Sequence, residues 1–374
     1  MKYNKLYYIL SLFTIAALLL FSAQSLKAAQ SEEEGFNAGP FIIEHVIDSY
    51  GWHICGDGDK SVTIPLPIIL FDDGLQVFSS SHLHHGEAAY NGYAMGWGEN
   101  KGSIVKLQDD YTGHLEEGQE YAVDHVCKFN ISITKNVCAL FLSLALIIWI
   151  FLSVAKQYER HPNEAPRGLQ GLIEPVVVFL QDEVINPSLG DKAAKYTPYL
   201  LTLFFFILLN NLMGIIPIFP GGANLTGNIA VTGILALFTF FITQFSGNKE
   251  YWKDIVNTPG VPWWLKIPLP IMPFVEFIGI FTKPFVLMVR LFANITAGHI
   301  IILGFISLIF IFGQMTPVLG FAVSPVSVLF YIFMGCLELL VAFIQAFVFT
   351  LLSAIYIGMA CGNEEHEEHT ELAK

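Results

Sequence analysis

The chain carries three arginines, at 160, 167 and 290, and the last stands inside an unbroken apolar stretch, Val286-Leu-Met-Val-Arg290-Leu-Phe-Ala. A guanidinium keeps its proton, because its pKa exceeds about 12, and placing one at mid-bilayer costs from a few to more than about ten kcal/mol. A purely structural reason for Arg290 would therefore be an expensive one. Polar residues recur around it at helical spacing. Glu276, Lys283 and Arg290 are seven apart, so at about 100° per residue they stay within about 40° of one another, and Asn294 joins the same face. Farther on, Glu338 and Gln345 are again seven apart. If the two segments are antiparallel neighbours, residues at equal depth share a constant index sum, and the pairs Arg290/Gln345 and His299/Glu338 agree in that sum to within two. One register then brings both pairs level.

Depth separates the roles. His299 lies nine residues beyond Arg290, about 13 Å along a helix, and Glu276 lies fourteen residues before it, about 21 Å the other way. A titratable group on each side of a fixed positive charge is what a proton path interrupted at mid-membrane requires, and a histidine, with an ordinary pKa near 6.5, can relay protons near neutrality. Each residue also has a plainer reading. Arg290 could be the ion-pair partner of Glu276 or Glu338, and Glu276 could sit at a membrane interface. Lys283 is expected to snorkel along its helix. Asn294 and Gln345 could be ordinary interhelical hydrogen-bonding residues.

The elements that must position these groups are membrane helices. Of 374 residues, 54% are hydrophobic and only 14% charged, against about 25% charged in a soluble domain. Apolar runs approach or exceed the roughly 20 residues that cross a bilayer: Val137–Ala155, Leu200–Ile216, Ile229–Phe245, Ile271–Phe312 and Pro325–Met359. The last two form a long antiparallel pair joined by Gly313–Ser324, and the first of them, about 60 Å long as a straight helix, must tilt, kink or leave the lipid. Gly168–Val184 reads as an amphipathic helix on the membrane surface. The expectation is an all-α integral membrane protein of about five spans, with residues 137–360 as the membrane domain.

Residues 1–29 read as a signal peptide or N-terminal anchor, with Lys2 and Lys5 before an apolar stretch and a cleavage site near Ala23-Gln24-Ser25. Residues 30–136 form a small exported region with some β-structure, including a hairpin of Ile68–Phe71 and Leu75–Phe78 around Asp72-Asp73-Gly74. Beyond Val137, lysines and arginines outside the spans cluster in Lys156–Lys195, in Lys249–Lys266 and at Lys374, whereas Pro217–Gly227 and Gly313–Ser324 hold none. By the positive-inside rule the N-terminal region lies outside and the acidic tail, residues 361–374, inside. The net charge of −13 sits largely in these wet segments and argues against nucleic acid as a partner. The five cysteines form no CxxC pair, so neither a zinc nor a redox motif is supported, and a Cys55–Cys127 disulfide is open in the exported region. His45, His53, His82, His84 and His85 fit no strong ligand template, so no metal and no cofactor is expected.

Taken together, Thr282-Lys-Pro, Arg290-Leu-Phe-Ala-Asn294, Ala297-Gly-His299, Glu338 and Gln345-Ala-Phe-Val-Phe with Tyr356 resemble the subunit a family of F-type ATP synthases; Asn211-Leu-Met-Gly-Ile-Ile-Pro217 resembles its third-helix motif. The resemblance covers roughly Lys156–Ala360. It implies a non-catalytic, stationary proton-channel subunit of a bacterial inner membrane, with its N-terminal region periplasmic and its C-terminus cytoplasmic. Its implied partners are a rotating ring of c subunits, b subunits, the rest of the synthase and the lipid bilayer. It implies that Arg290 faces the c-ring carboxylates, that Gln345 and Asn294 hold or flank it, that His299 and Glu338 line the outer half-channel, and that Glu276 lines the inner one. Two departures stand out. Many relatives have the acid and the histidine of the His299/Glu338 pair exchanged, and the family often carries an acid where this chain has Gly214. The resemblance leaves residues 30–136 unexplained. The alternative is a proton-coupled secondary transporter using Arg290 to hold an anionic substrate, or a membrane scaffold; transporters usually show paired repeats and broken helices, and the sequence has no evident repeat.

Overall fold

The computed structural model describes residues 38–362 apart from 56–61, 73, 98–99, 101, 109–110, 116–120, 128, 163, 217–220 and 257–270. The expected signal segment, residues 1–29, and nearly all of the acidic tail lie outside the described residues. Chain contacts divide the structure into a larger unit, Glu44–His299 with Leu337–Lys374, and a smaller one, Ile300–Cys336 with the residues up to Ile43.

Helix α1 spans Ala38–Val46, and beyond it, in the larger unit, the chain forms short antiparallel strands: β1 (Gly51–Cys55), β2 (Val62–Pro65), β3 (Pro67–Phe71), β4 (Leu75–Ser79), β5 (Ala88–Ala89), β6 (Tyr93–Met95), β7 (Ile104–Leu107), β8 (Gly113–His114), β9 (Val123–Val126) and β10 (Phe129–Asn130). The expected hairpin is present, pairing Ile68 with Phe78 and Phe71 with Leu75, and β10 adds to its other edge. Alternation along β3 buries Ile68 and Leu70 completely, where they meet Phe78, Leu83, Tyr93 and Ile104. Cys127 belongs to this core as a free, buried thiol, and the side chain of Cys55, the other half of the disulfide left open above, lies outside the described residues. Burial pushes that thiol up to about 11, so it stays protonated and inert. His82 stacks on Tyr90.

The helices follow: α2 (Lys135–Arg160), α3 (Leu169–Leu180), the short α4 (Asn186–Leu189), α5 (Ala193–Ile215), α6 (Ile229–Ser246), α7 (Lys249–Val256), α8 (Ile271–Met315) and α9 (Pro317–Cys361). Among the described residues, five helical stretches are long and apolar enough to cross a membrane. Thr134 caps α2, its hydroxyl accepting from the Val137 amide. The stretch expected on the membrane surface is helical as α3, then passes through a π-helical turn, Gln181–Ile185, into α4. The helical core joins Leu200, Leu203, Phe204 and Ile207 of α5 to Leu287, Leu291 and Ile295 of α8 and to Ala346, Phe349 and Ile357 of α9.

The smaller unit corrects one expectation. Gly313–Ser324 is not a connecting loop: α8 runs to Met315, α9 starts at Pro317, and only Thr316 lies between them. Thr316 accepts the Leu319 amide on both its carbonyl and its hydroxyl. Pro317 occupies the first helical position, where its missing N–H costs nothing. A Cβ on Gly320 would lie 2.8 Å from Cα of Gly313, so the two backbones nearly touch at the corner.

Candidate functional site

Leu287, Leu291 and Ile295 of α8 recur every fourth residue and bury into the helical core. The same spacing turns Arg290 and Asn294 to the edge of that face, and both side chains are exposed. Among the described residues the ion pairs involve His125, His161 and His299, and none uses Arg290. A permanent cation thus stands uncovered at the middle of a 45-residue apolar helix. Glu276, fourteen residues earlier, is half-buried and also has no ion-pair partner among the described residues. Gln345 on α9 is buried, 7% exposed, and no hydrogen bond joins it to Arg290 among the described residues.

The second predicted pair meets directly. His299 Nδ1 and Glu338 Oε1 are in hydrogen-bonding contact, with side chains only 14% and 5% exposed. Two glycines make room for them. A Cβ on Gly298 would sit 3.0 Å from Glu338 Oε1, and one on Gly214 would sit 3.5 Å from His299 Nε2. The position where the family often carries an acid therefore abuts the imidazole, which stands against bare backbone there. With Nδ1 committed to the carboxylate, Nε2 is the ring atom through which a proton can arrive or leave on the far side.

Buried amides fix this pair against the neighbouring segments. Asn211 on α5 donates to the Ala342 carbonyl of α9 at 3.1 Å and accepts from the Thr226 hydroxyl at 2.7 Å. Asn224 Oδ1 accepts from the Gly227 amide, and Thr296 of α8 donates to the Gly227 carbonyl. The loop holding Asn224 is covered from the other side: Ala223 packs with Trp52 of β1 and Ala139 of α2, all nearly fully buried. Trp52, with Ile64 of β2 packed beside it, thus joins the β region to the wall of the His299 site.

Lys283 is half-buried, with Nζ 5.5 Å from the centre of the Tyr356 ring on α9. A cation over an aromatic face is stabilised by the ring quadrupole. The two residues border a small cavity with Thr239, Thr243, Gln244 and Pro284. Beside it Tyr199, Thr239 and Ser353 form a chain of hydroxyl contacts at 2.8 and 3.2 Å. The roles of Gly214, Gly298 and these hydroxyls were not readable as spacing, because each acts through a partner distant in sequence.

The family described as ATP synthase A chain matches residues 137–358, and a second, described as a domain of unknown function, matches residues 41–128. The chain is 41% identical over 266 residues to ATP synthase subunit a of Chloroherpeton thalassium, covering 68% of this chain and 75% of that protein. It is 42% identical over 298 residues to ATP synthase subunit a 2 of Chlorobaculum tepidum, covering 77% and 81%. With ATP synthase subunit a 2 of Prosthecochloris aestuarii the identity is 41% over 316 residues, covering 81% and 93%.

Proposed function

Because the chain belongs to the ATP synthase A chain family, we propose that it is the stationary proton-channel subunit of an F-type synthase, with Arg290 as the charge that meets the carboxylates of a rotating c-ring. The observation that carries this reading is the uncovered guanidinium on α8. Within one chain it is an unpaid cost of several kcal/mol; opposite an arriving carboxylate it has a partner. Arg290 favours release of the proton from each carboxylate and blocks direct passage between the two aqueous paths. Asn294 and Gln345 flank it. His299 and Glu338 form the outer relay, taking a proton at one end of the imidazole–carboxylate pair and passing it on at the other. Glu276 lies on the inner path, with the Lys283–Tyr356 cavity along the way. The β region and the N-terminus lie outside and the C-terminus inside, and b subunits and the catalytic head complete the assembly without chemistry from this chain. The electrical part of the driving force is about 2.3 kcal/mol per charge per 100 mV.

The test is Arg290→Ala, assayed as ATP-driven pumping in inverted vesicles with matched amounts of assembled complex. Assembly should be near normal and pumping should vanish, while Arg290→Lys rescues poorly for want of the planar donor fork. Pumping above roughly a tenth of wild type, or a failure to assemble, would overturn the reading.

A further inference from the structure

One sheet of the β region is apolar on both faces. In the order β10-β3-β4, the inner face of Ile68, Leu70 and Phe78 fills the core. The outer face carries two complete cross-strand rows. Phe129 pairs with Phe71 and Phe71 with Leu75, and these are 70%, 53% and 58% exposed. Ile131 donates its amide to the Ile69 carbonyl, and Ile69 pairs with Val77; Ile131 and Val77 are 63% and 60% exposed. A solvated sheet face ordinarily alternates to polar residues, and a contiguous apolar patch of this kind marks an interaction surface.

The chain order points to what covers it. Ile131 precedes α2 by four residues, at most about 14 Å of extended chain. That connection is pinned, since the Ile133 amide bonds the Pro67 carbonyl and the Lys135 amide bonds the Ser49 carbonyl. The apolar run of α2 starts at Val137 and presents Phe141, Ile148, Trp149 and Leu152, all more than half exposed, to the bilayer. The headgroup layer is about 5–8 Å deep on each side of the hydrocarbon, so the nearer row stands within reach of it. The six side chains offer no charge and no hydrogen-bonding group, whereas protein interfaces favour Tyr, Trp and Arg with a polar rim.

We infer that the outer face of this sheet rests on the lipid bilayer, as an interfacial membrane-docking surface continuous with the lipid-facing side of α2. It works like the apolar face of an interfacial helix, built instead from strands. The inference needs the membrane helices but not the proton path, so it stands or falls apart from the role of Arg290.

The test uses the whole assembled complex in liposomes, with photoreactive benzoylphenylalanine placed singly at Val77, Phe129 or the exposed polar position Glu87. These sites are open, so the fold tolerates the label. Irradiation should give a phospholipid adduct at 77 and 129 and none at 87. A protein adduct at 77 or 129, to another subunit or a second copy, would overturn the inference. So would lipid labelling at 87 equal to that at 77, or no adduct at either patch position.

Discussion

The β region and the helical region differ in what they enclose beside an apolar core and in what they expose. In the first, Ile68, Leu70, Leu83 and Ile104 are wholly enclosed; in the second, Leu200, Phe204 and Leu287 are enclosed too, but so are Ser143, Asn211, Thr232, Thr350 and Ser353, and Phe245 is 87% exposed. Water drives the first arrangement through burial of apolar area, worth roughly 25 cal/mol per Å². Lipid tails are as apolar as leucine, so in the second the helices are held by close backbone approach and interhelical hydrogen bonds. Asn211 bridging α5, α9 and Thr226 is such a bond network, and Gly358 of α9, where a Cβ would collide with the Ser188 carbonyl oxygen, supplies the close approach. A buried polar residue thus ties helix to helix in one region, whereas in the other Ser132 serves a sheet edge, its hydroxyl accepting from the Ile69 amide.

Substitutions can break this contrast. The largest effect is expected at His299 and Glu338. Replacing either with Ala should abolish proton uptake while leaving the complex assembled, and the losses should be non-additive, because the two side chains act through one contact. The exchanged variant, His299→Glu with Glu338→His, should recover a measurable part of ATP-driven pumping; strictly additive losses in the exchange would dissolve the pair. Next comes Leu70→Ala in the β region. Removing a fully enclosed leucine should cost about 2–5 kcal/mol, seen as an earlier urea transition in tryptophan fluorescence, with pumping per surviving complex unchanged. If instead pumping fails with the fold intact, the two regions are not energetically distinct.

The smallest effect is expected at His125. Its ring bonds Asp72 at 2.8 Å and Asp124 at 2.9 Å, and these contacts, Asp72 first, hold its pKa above the ordinary value near 6.5. A raised folded-state pKa means the stabilisation is fully present below about pH 6.5 and is lost as pH rises through the higher folded value. The unfolding midpoint of the β region should thus decline modestly across that window in wild type and stay flat across it in His125→Gln. An identical slope in the variant would remove His125 from the account.

Much of this was legible in sequence, for reasons that differ by residue. The spans follow from run length alone. The His299–Glu338 contact follows from the index sum, which needs only that two helices be antiparallel neighbours. The hairpin at Asp72 follows from alternation and turn residues. The Thr316 corner was not legible, because proline and glycine signal a loop whether they end a helix or open one, and only the close approach of Gly320 to Gly313 decides. The contact of Lys283 with Tyr356 was not legible, because the two residues lie on different helices. Trp52 gave no signal at all, since its neighbours Ala139 and Ala223 are small and remote in the chain.

That last contact also sets an order of events. Synthesis proceeds at about 5–20 residues per second, and N-terminal parts generally fold first. Ala223 follows Trp52 by about 170 residues, so roughly 10–35 s separate their emergence. By then the strands of the β region can already be closed around Ile68 and Leu70. The loop carrying Ala223 and Asn224 then docks onto a finished surface, and the wall beside His299 is cast against a template made before α8 and α9 exist.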